Sequence, residues 1–156
     1  MRILGIDPGL ATIGFGIIDV NGPITKVIDF GHIQTPKSLS NASRLNQIHS
    51  DLNEICQTWQ PDVCAIEELY FSKNTTTALK VAEARGVILH TVNRLGYPIF
   101  EYNPGQIKVA ITGNGKAAKV EMQKMVALIL KLKSIPRPDD AADALAIALC
   151  HAQTKF

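Results

Sequence analysis

Four acidic side chains stand out by position. Asp7 ends the apolar run Ile3-Leu4-Gly5-Ile6 and leads into Pro8-Gly9, and Glu67 ends a second run, Val63-Cys64-Ala65-Ile66. Asp140 and Asp143 lie three residues apart at the start of a third apolar stretch, AADALAIALC, in which Asp143 is the one polar residue. At that spacing two side chains share a helix face, and an ionised Asp among apolar neighbours is costly unless paired or metal-bound. Carboxylates gathered without His or Cys are hard oxygen donors that suit Mg²⁺ or Mn²⁺ rather than zinc, and they cannot all stay ionised together without a cation. Two divalent ions roughly 3.5–4 Å apart serve phosphodiester hydrolysis, one generating hydroxide and the other stabilising the leaving oxygen. The residue types therefore point to a metal-dependent nuclease or related phosphoryl-transfer enzyme. The plainer alternative has Asp139 or Asp140 capping the helix while Asp143 favours its positive end. The combination argues against it: acids at the carboxyl ends of neighbouring strands converge on the sheet edge where open α/β sheets bind ligands.

The elements that must position these acids follow from apolar periodicity and breakers. Strands are predicted over Arg2–Asp7, Ile13–Val20 and Thr25–Thr35, an antiparallel meander turned at Pro8-Gly9 and Asn21-Gly22-Pro23. Gly14 and Gly16, two apart, leave one face of the second strand bare for close approach of another backbone. A helix follows over Leu39–Trp59 with Ser40 or Asn41 as cap, then the strand ending at Glu67, a helix over Thr75–Arg94, and a strand over Tyr97–Tyr102. A short helix over Gln106–Thr112, a break at Gly113-Asn114-Gly115, a helix from Lys116 or Ala117 to Leu132, and a last helix from Asp140 to about His151 complete the order. The class is α/β, a mixed five-stranded sheet flanked by helices.

The chain of 156 residues is 46% apolar and 19% charged, which fits one globular domain over residues 1–156 with 152–156 as a tail outside the core. No apolar run approaches the ~20 residues that span a bilayer, and no signal peptide is evident, so a cytoplasmic protein without membrane attachment is expected. Three unpaired cysteines, Cys56, Cys64 and Cys150, read as buried thiols, and the four scattered histidines receive no role. Net charge is only +2, but setting the four acids aside leaves 10 carboxylates against 16 Lys and Arg, a surface suited to a polyanion.

The segments GIDPGLATIGFG, PDVCAIEELYFSKN, ALKVAEARGV and DDAADALAIA together resemble the RuvC family of bacterial Holliday junction resolvases, within the RNase H-like (retroviral integrase) superfamily. The likeness runs in order from residue 1 to about 151. It implies an RNase H-like fold and a homodimeric endonuclease that nicks four-way DNA junctions symmetrically during recombination and repair, with RuvA and RuvB as branch-migration partners. By position, the family's catalytic, metal-binding acids fall on Asp7, Glu67, Asp140 and Asp143, with Mg²⁺ (Mn²⁺ substituting), two ions per site. Tyr70 stands where the family carries a base-stacking aromatic, often Phe, and Lys108 and Lys119 match phosphate-contacting positions. Lys73, Lys80, Arg85 and Lys116 are further basic candidates for DNA, and the backbone of Gly113–Lys116 offers N–H groups for phosphate. The helix beginning near Asn74 is expected to form much of the dimer interface through Ala78, Val81, Ala82 and Val87.

Three rivals remain in view. An actin- or sugar-kinase-type ATPase shares the strand, acid and glycine hairpin but needs two lobes, for which this length is too short. A YqgF-like RNA-processing nuclease fits the last helix and the segment after Glu67 less well. A junction-binding protein without catalysis would not need all four acids.

Overall fold

The computed structural model describes residues 1–69 and 75–154. Tyr70 and Lys73, and the expected helix start near Asn74, lie outside the described residues. The elements are β1 (Arg2–Asp7), β2 (Thr12–Asn21), β3 (Ile24–Gln34), α1 (Asn41–Trp59), β4 (Val63–Glu67), α2 (Thr75–Arg94), β5 (Ile99–Tyr102), α3 (Pro104–Thr112), α4 (Lys119–Ile129) and α5 (Asp139–Thr154). The sheet order is β3-β2-β1-β4-β5. β1 and β3 run antiparallel to β2, whereas β4 is parallel to both β1 and β5. This is the mixed five-stranded α/β arrangement expected.

Strand alternation decides which face each acid meets. Along β1, Leu4 and Ile6 pack with Ile48 and Leu52 of α1 and Ile88 of α2, whereas Ile3 packs with Leu145 to Leu149 of α5. Asp7 has the parity of Ile3 and so faces α5. On β4, Cys64 and Ile66 belong to the α1/α2 side and Ala65 to the α5 side, which puts Glu67 on the α5 side as well. Two apolar layers thus bury β1 and β4 on both faces and bring both acids to the same end of the same face.

α5 lies unusually close to the sheet, and the glycines permit it. A Cβ on Gly5 would stand 2.1 Å from the Ala144 carbonyl oxygen, and one on Gly14 would stand 1.9 Å from that of Asp140. The bare face foreseen at Gly14 and Gly16 is where the α5 backbone and Leu145 sit. All three cysteines are buried.

Several boundaries differ from the sequence expectations. α1 starts at Asn41, because the Ser40 hydroxyl accepts from the Ser43 N–H and caps it there. α3 starts at Pro104, since Asn103 and Gln106 form a reciprocal capping box. α4 begins at Lys119 rather than Lys116 or Ala117, and ends at Ile129 rather than Leu132. The delay has a cause: Asn114 Oδ1 accepts from the Lys116 N–H and the Asn114 carbonyl from the Ala117 N–H, a local turn that competes with helix. α5 continues through Thr154, so residues 152–154 are not a loose tail. Ala152 is buried, and the Thr154 hydroxyl is 3.1 Å from the Tyr102 hydroxyl.

Candidate metal-binding active site

The four acids meet at one end of the sheet. In the β1–β2 ladder Asp7 stands opposite Gly14, and the Asp140 backbone lies against that same Gly14, so Asp140 is brought directly over the end of β1. Asp143, one turn further along α5, lines an open hollow of about 210 Å³ with Glu67, Lys108 and Lys119. Glu67 reaches this end because β4 runs parallel to β1, Ile6 standing opposite Ile66. The Asp139 carboxylate is paired with Arg137.

The electrostatics are those of crowded carboxylates short of positive charge. Burial pushes Asp7 up to about 8, and the charges of Glu67, Asp143 and Asp140 add to the shift while Lys119 opposes it. Glu67 is raised by burial and then by Asp143, against Lys119 and Lys108. Asp143 is also raised, because burial outweighs its hydrogen bond to Lys119. Lys119 Nζ lies 2.7 Å from Asp143 Oδ2. Partial burial works against the Lys119 charge, but Asp143, Asp139 and Asp7 together hold its ammonium above the ordinary range.

These residues fit a hard divalent cation. The donors are all carboxylate oxygens, their mutual repulsion calls for a positive charge, and Asp143 Oδ1 is buried without a hydrogen-bond partner. Among the described residues no group of three or more His, Cys, Asp or Glu is placed to hold a metal as it stands. The Lys119 ammonium occupies one oxygen of Asp143.

The basic candidates divide. Lys108 and Lys119 border the acidic hollow, whereas Lys80 and Lys116 are exposed on the surface. In the loop at 113–116 the Asn114 N–H donates to Thr112 Oγ1 and the Lys116 N–H to Asn114 Oδ1. Arg85 is committed within the protein: its Nε donates to the Glu67 carbonyl oxygen at 3.1 Å and its guanidinium pairs with Glu101. Glu101 carried no signal in the sequence, since only tertiary packing brings it to Arg85.

A family model described as crossover junction endodeoxyribonuclease RuvC matches residues 3–151. A protein of that name from Caldicellulosiruptor saccharolyticus is 53% identical over 152 residues, covering 97% of this chain and 92% of that one. Among solved structures, Thermus thermophilus RuvC superposes with a TM-score of 0.90 at 37% identity, covering 97% of this chain and 93% of that one. The T. thermophilus RuvC in complex with a Holliday junction substrate gives 0.88 at 35% identity, with the same coverage. The chain belongs to the RuvC family of crossover junction endodeoxyribonucleases.

Proposed function

We propose that this protein is a divalent-metal-dependent endonuclease that resolves four-way DNA junctions by paired symmetric nicks, acting in recombination and repair. The observation that carries this is the convergence of Asp7, Glu67, Asp140 and Asp143 on one sheet end, in a chain that matches the resolvase family nearly end to end. Asp7, Glu67, Asp140 and Asp143 are the catalytic residues and would hold the metal. Mg²⁺ is the proposed ion, with Mn²⁺ able to replace it and two ions per site. When bound, such ions activate water and stabilise the leaving oxygen of an in-line displacement.

The chain's own residues do the rest. The Ile3–Ile6 strand, buried on both faces, holds Asp7 still, while α5 seats Asp140 and Asp143 over it. Lys119 keeps the metal-free acids from repelling one another apart and, with Lys108, offers positive charge at the mouth of the site for a DNA phosphate. Lys73, Lys80 and Lys116 are the further basic residues assigned to DNA, and Tyr70 is assigned to it on family resemblance. Residues 1–156 form one nuclease domain. It acts as a homodimer in the cytoplasm, with RuvA and RuvB as partners; no described helix is long and apolar enough to cross a membrane.

Asp7→Asn is the direct test on a synthetic four-way junction in Mg²⁺. Cleavage falls by several orders of magnitude while junction binding is kept, because the carboxylate meets metal and not DNA. A variant that still nicks at a rate near wild type refutes the site assignment. Junction, duplex, RNA–DNA hybrid and single strands compared in one panel separate a resolvase from an RNA-processing relative, and binding without cuts favours a non-catalytic junction binder.

A further inference from the structure

Arg85 reaches Glu67 from the side away from the other acids. It lies about three turns into α2, with its side chain only 15% exposed, and two of its donors are taken, by the Glu67 carbonyl and by the Glu101 carboxylate. Glu101 stands opposite Ile66 in the β4–β5 ladder, and the last ladder bond runs from the Glu68 N–H to the Tyr102 carbonyl at 2.9 Å. Among the described residues no strand pairing follows that rung, so the Arg85 clamp sits at the end of the paired strand.

Glu67 has a different environment on each side. It borders the acidic hollow with Asp143 and the two lysines, whereas Arg85 and Glu101 border a second hollow along α2 with Glu68, Leu69 and Ala82. Arg85 meets Glu67 at its backbone carbonyl and not at its carboxyl, so it governs where Glu67 is held. An arginine suits this task, because its planar fork delivers two directed hydrogen bonds where a lysine delivers one point charge.

We propose that Arg85 is a positioning residue of the metal site: braced by Glu101, it clamps the end of β4 through the Glu67 carbonyl and so fixes the Glu67 carboxylate for divalent-metal binding, rather than contacting DNA. This rests on Glu67 being a metal ligand. Residues that orient a ligand in this way are worth about 10–100-fold in metal affinity.

The test uses Mn²⁺ binding to the DNA-free protein, followed by its electron paramagnetic resonance signal, together with junction affinity in EDTA and cleavage against Mg²⁺ concentration. Arg85→Lys weakens Mn²⁺ binding about tenfold or more and raises the Mg²⁺ needed for half-maximal cleavage by a similar factor, leaving junction affinity in EDTA unchanged. Glu101→Gln shifts the same two quantities in the same direction by less, and decides the matter if Arg85 variants do not fold. Unchanged Mn²⁺ binding in Arg85→Lys overturns the proposal, and a parallel loss of junction affinity would then return Arg85 to the DNA contacts. Glu67→Gln tests the premise separately: if it leaves Mn²⁺ affinity intact, Glu67 is not a ligand. If Glu67→Gln loses Mn²⁺ and Arg85→Lys does not, only the role of Arg85 fails.

Discussion

Asp7 is in tension with its own surroundings, and the tension is measurable. Its carboxyl is raised from 3.8 to about 8 by burial and by three neighbouring acids. Between those two values the folded, metal-free protein holds a proton that the unfolded chain has released. Unfolding free energy therefore falls as pH rises through this window and levels off above about 8. A shift of this size corresponds to several kcal/mol, on the order of 1.4 kcal/mol per pKa unit. Urea denaturation of the metal-free protein at pH 5 and pH 8 is expected to show lower stability at pH 8. Asp7→Asn should remove most of that difference, and Mg²⁺ should restore stability to the wild type at pH 8 by binding only the folded state. Equal wild-type stability at the two pH values in EDTA contradicts the electrostatic picture. The candidacy of Asp7 and Glu67 was visible in the sequence because each ends an apolar run, and strand parity does the rest. The commitment of Arg85 was not visible: its partners are a backbone carbonyl 18 positions earlier and a carboxylate 16 positions later, distances at which no local pattern operates.

At the scale of elements, the seating of α5 against β1 and β2 sets the geometry of half the site. The Gly5, Gly14 and Gly16 positions are occupied by α5 backbone and side chains where Cβ atoms would be. Gly5→Ala drives a methyl into the Ala144 carbonyl oxygen, so α5 must lift. Overpacking of a core costs about 1–3 kcal/mol or more, and a displacement near 1 Å at a catalytic group costs about 10²-fold in rate. Urea denaturation and junction cleavage are expected to show both losses, with cleavage the larger; wild-type activity would mean that α5 tolerates the lift. The glycine pair in β2 announced this close approach from sequence, and the unbroken apolar face of AADALAIALC announced a buried helix. Two of the ends that differ depend on contacts no periodicity reports. α4 starts late because Asn114 organises a turn, and α5 runs long because Thr154 finds the Tyr102 hydroxyl from 52 residues away.

At the scale of the molecule, one active site explains one nick, and symmetric resolution requires two sites related by a two-fold axis. α2 is the element assigned to that interface, and Ala78, Val81, Ala82 and Val87 along it are all incompletely buried, with Leu79 exposed. Val81→Glu places a charge in the proposed contact. Sedimentation velocity is expected to show a monomer, and a junction nicked in one strand without its symmetric counterpart; a stable dimer that still makes paired nicks moves the interface elsewhere. The same α2 carries Arg85, so the proposed contact between protomers and the proposed support of Glu67 lie on one helix. The order of the elements carries a further meaning. Asp7 lies on β1, but Asp140 and Asp143 lie on the last described helix, which is also the helix that fills the glycine track. A chain short of α5 thus possesses only two of the four acids proposed to hold the metal.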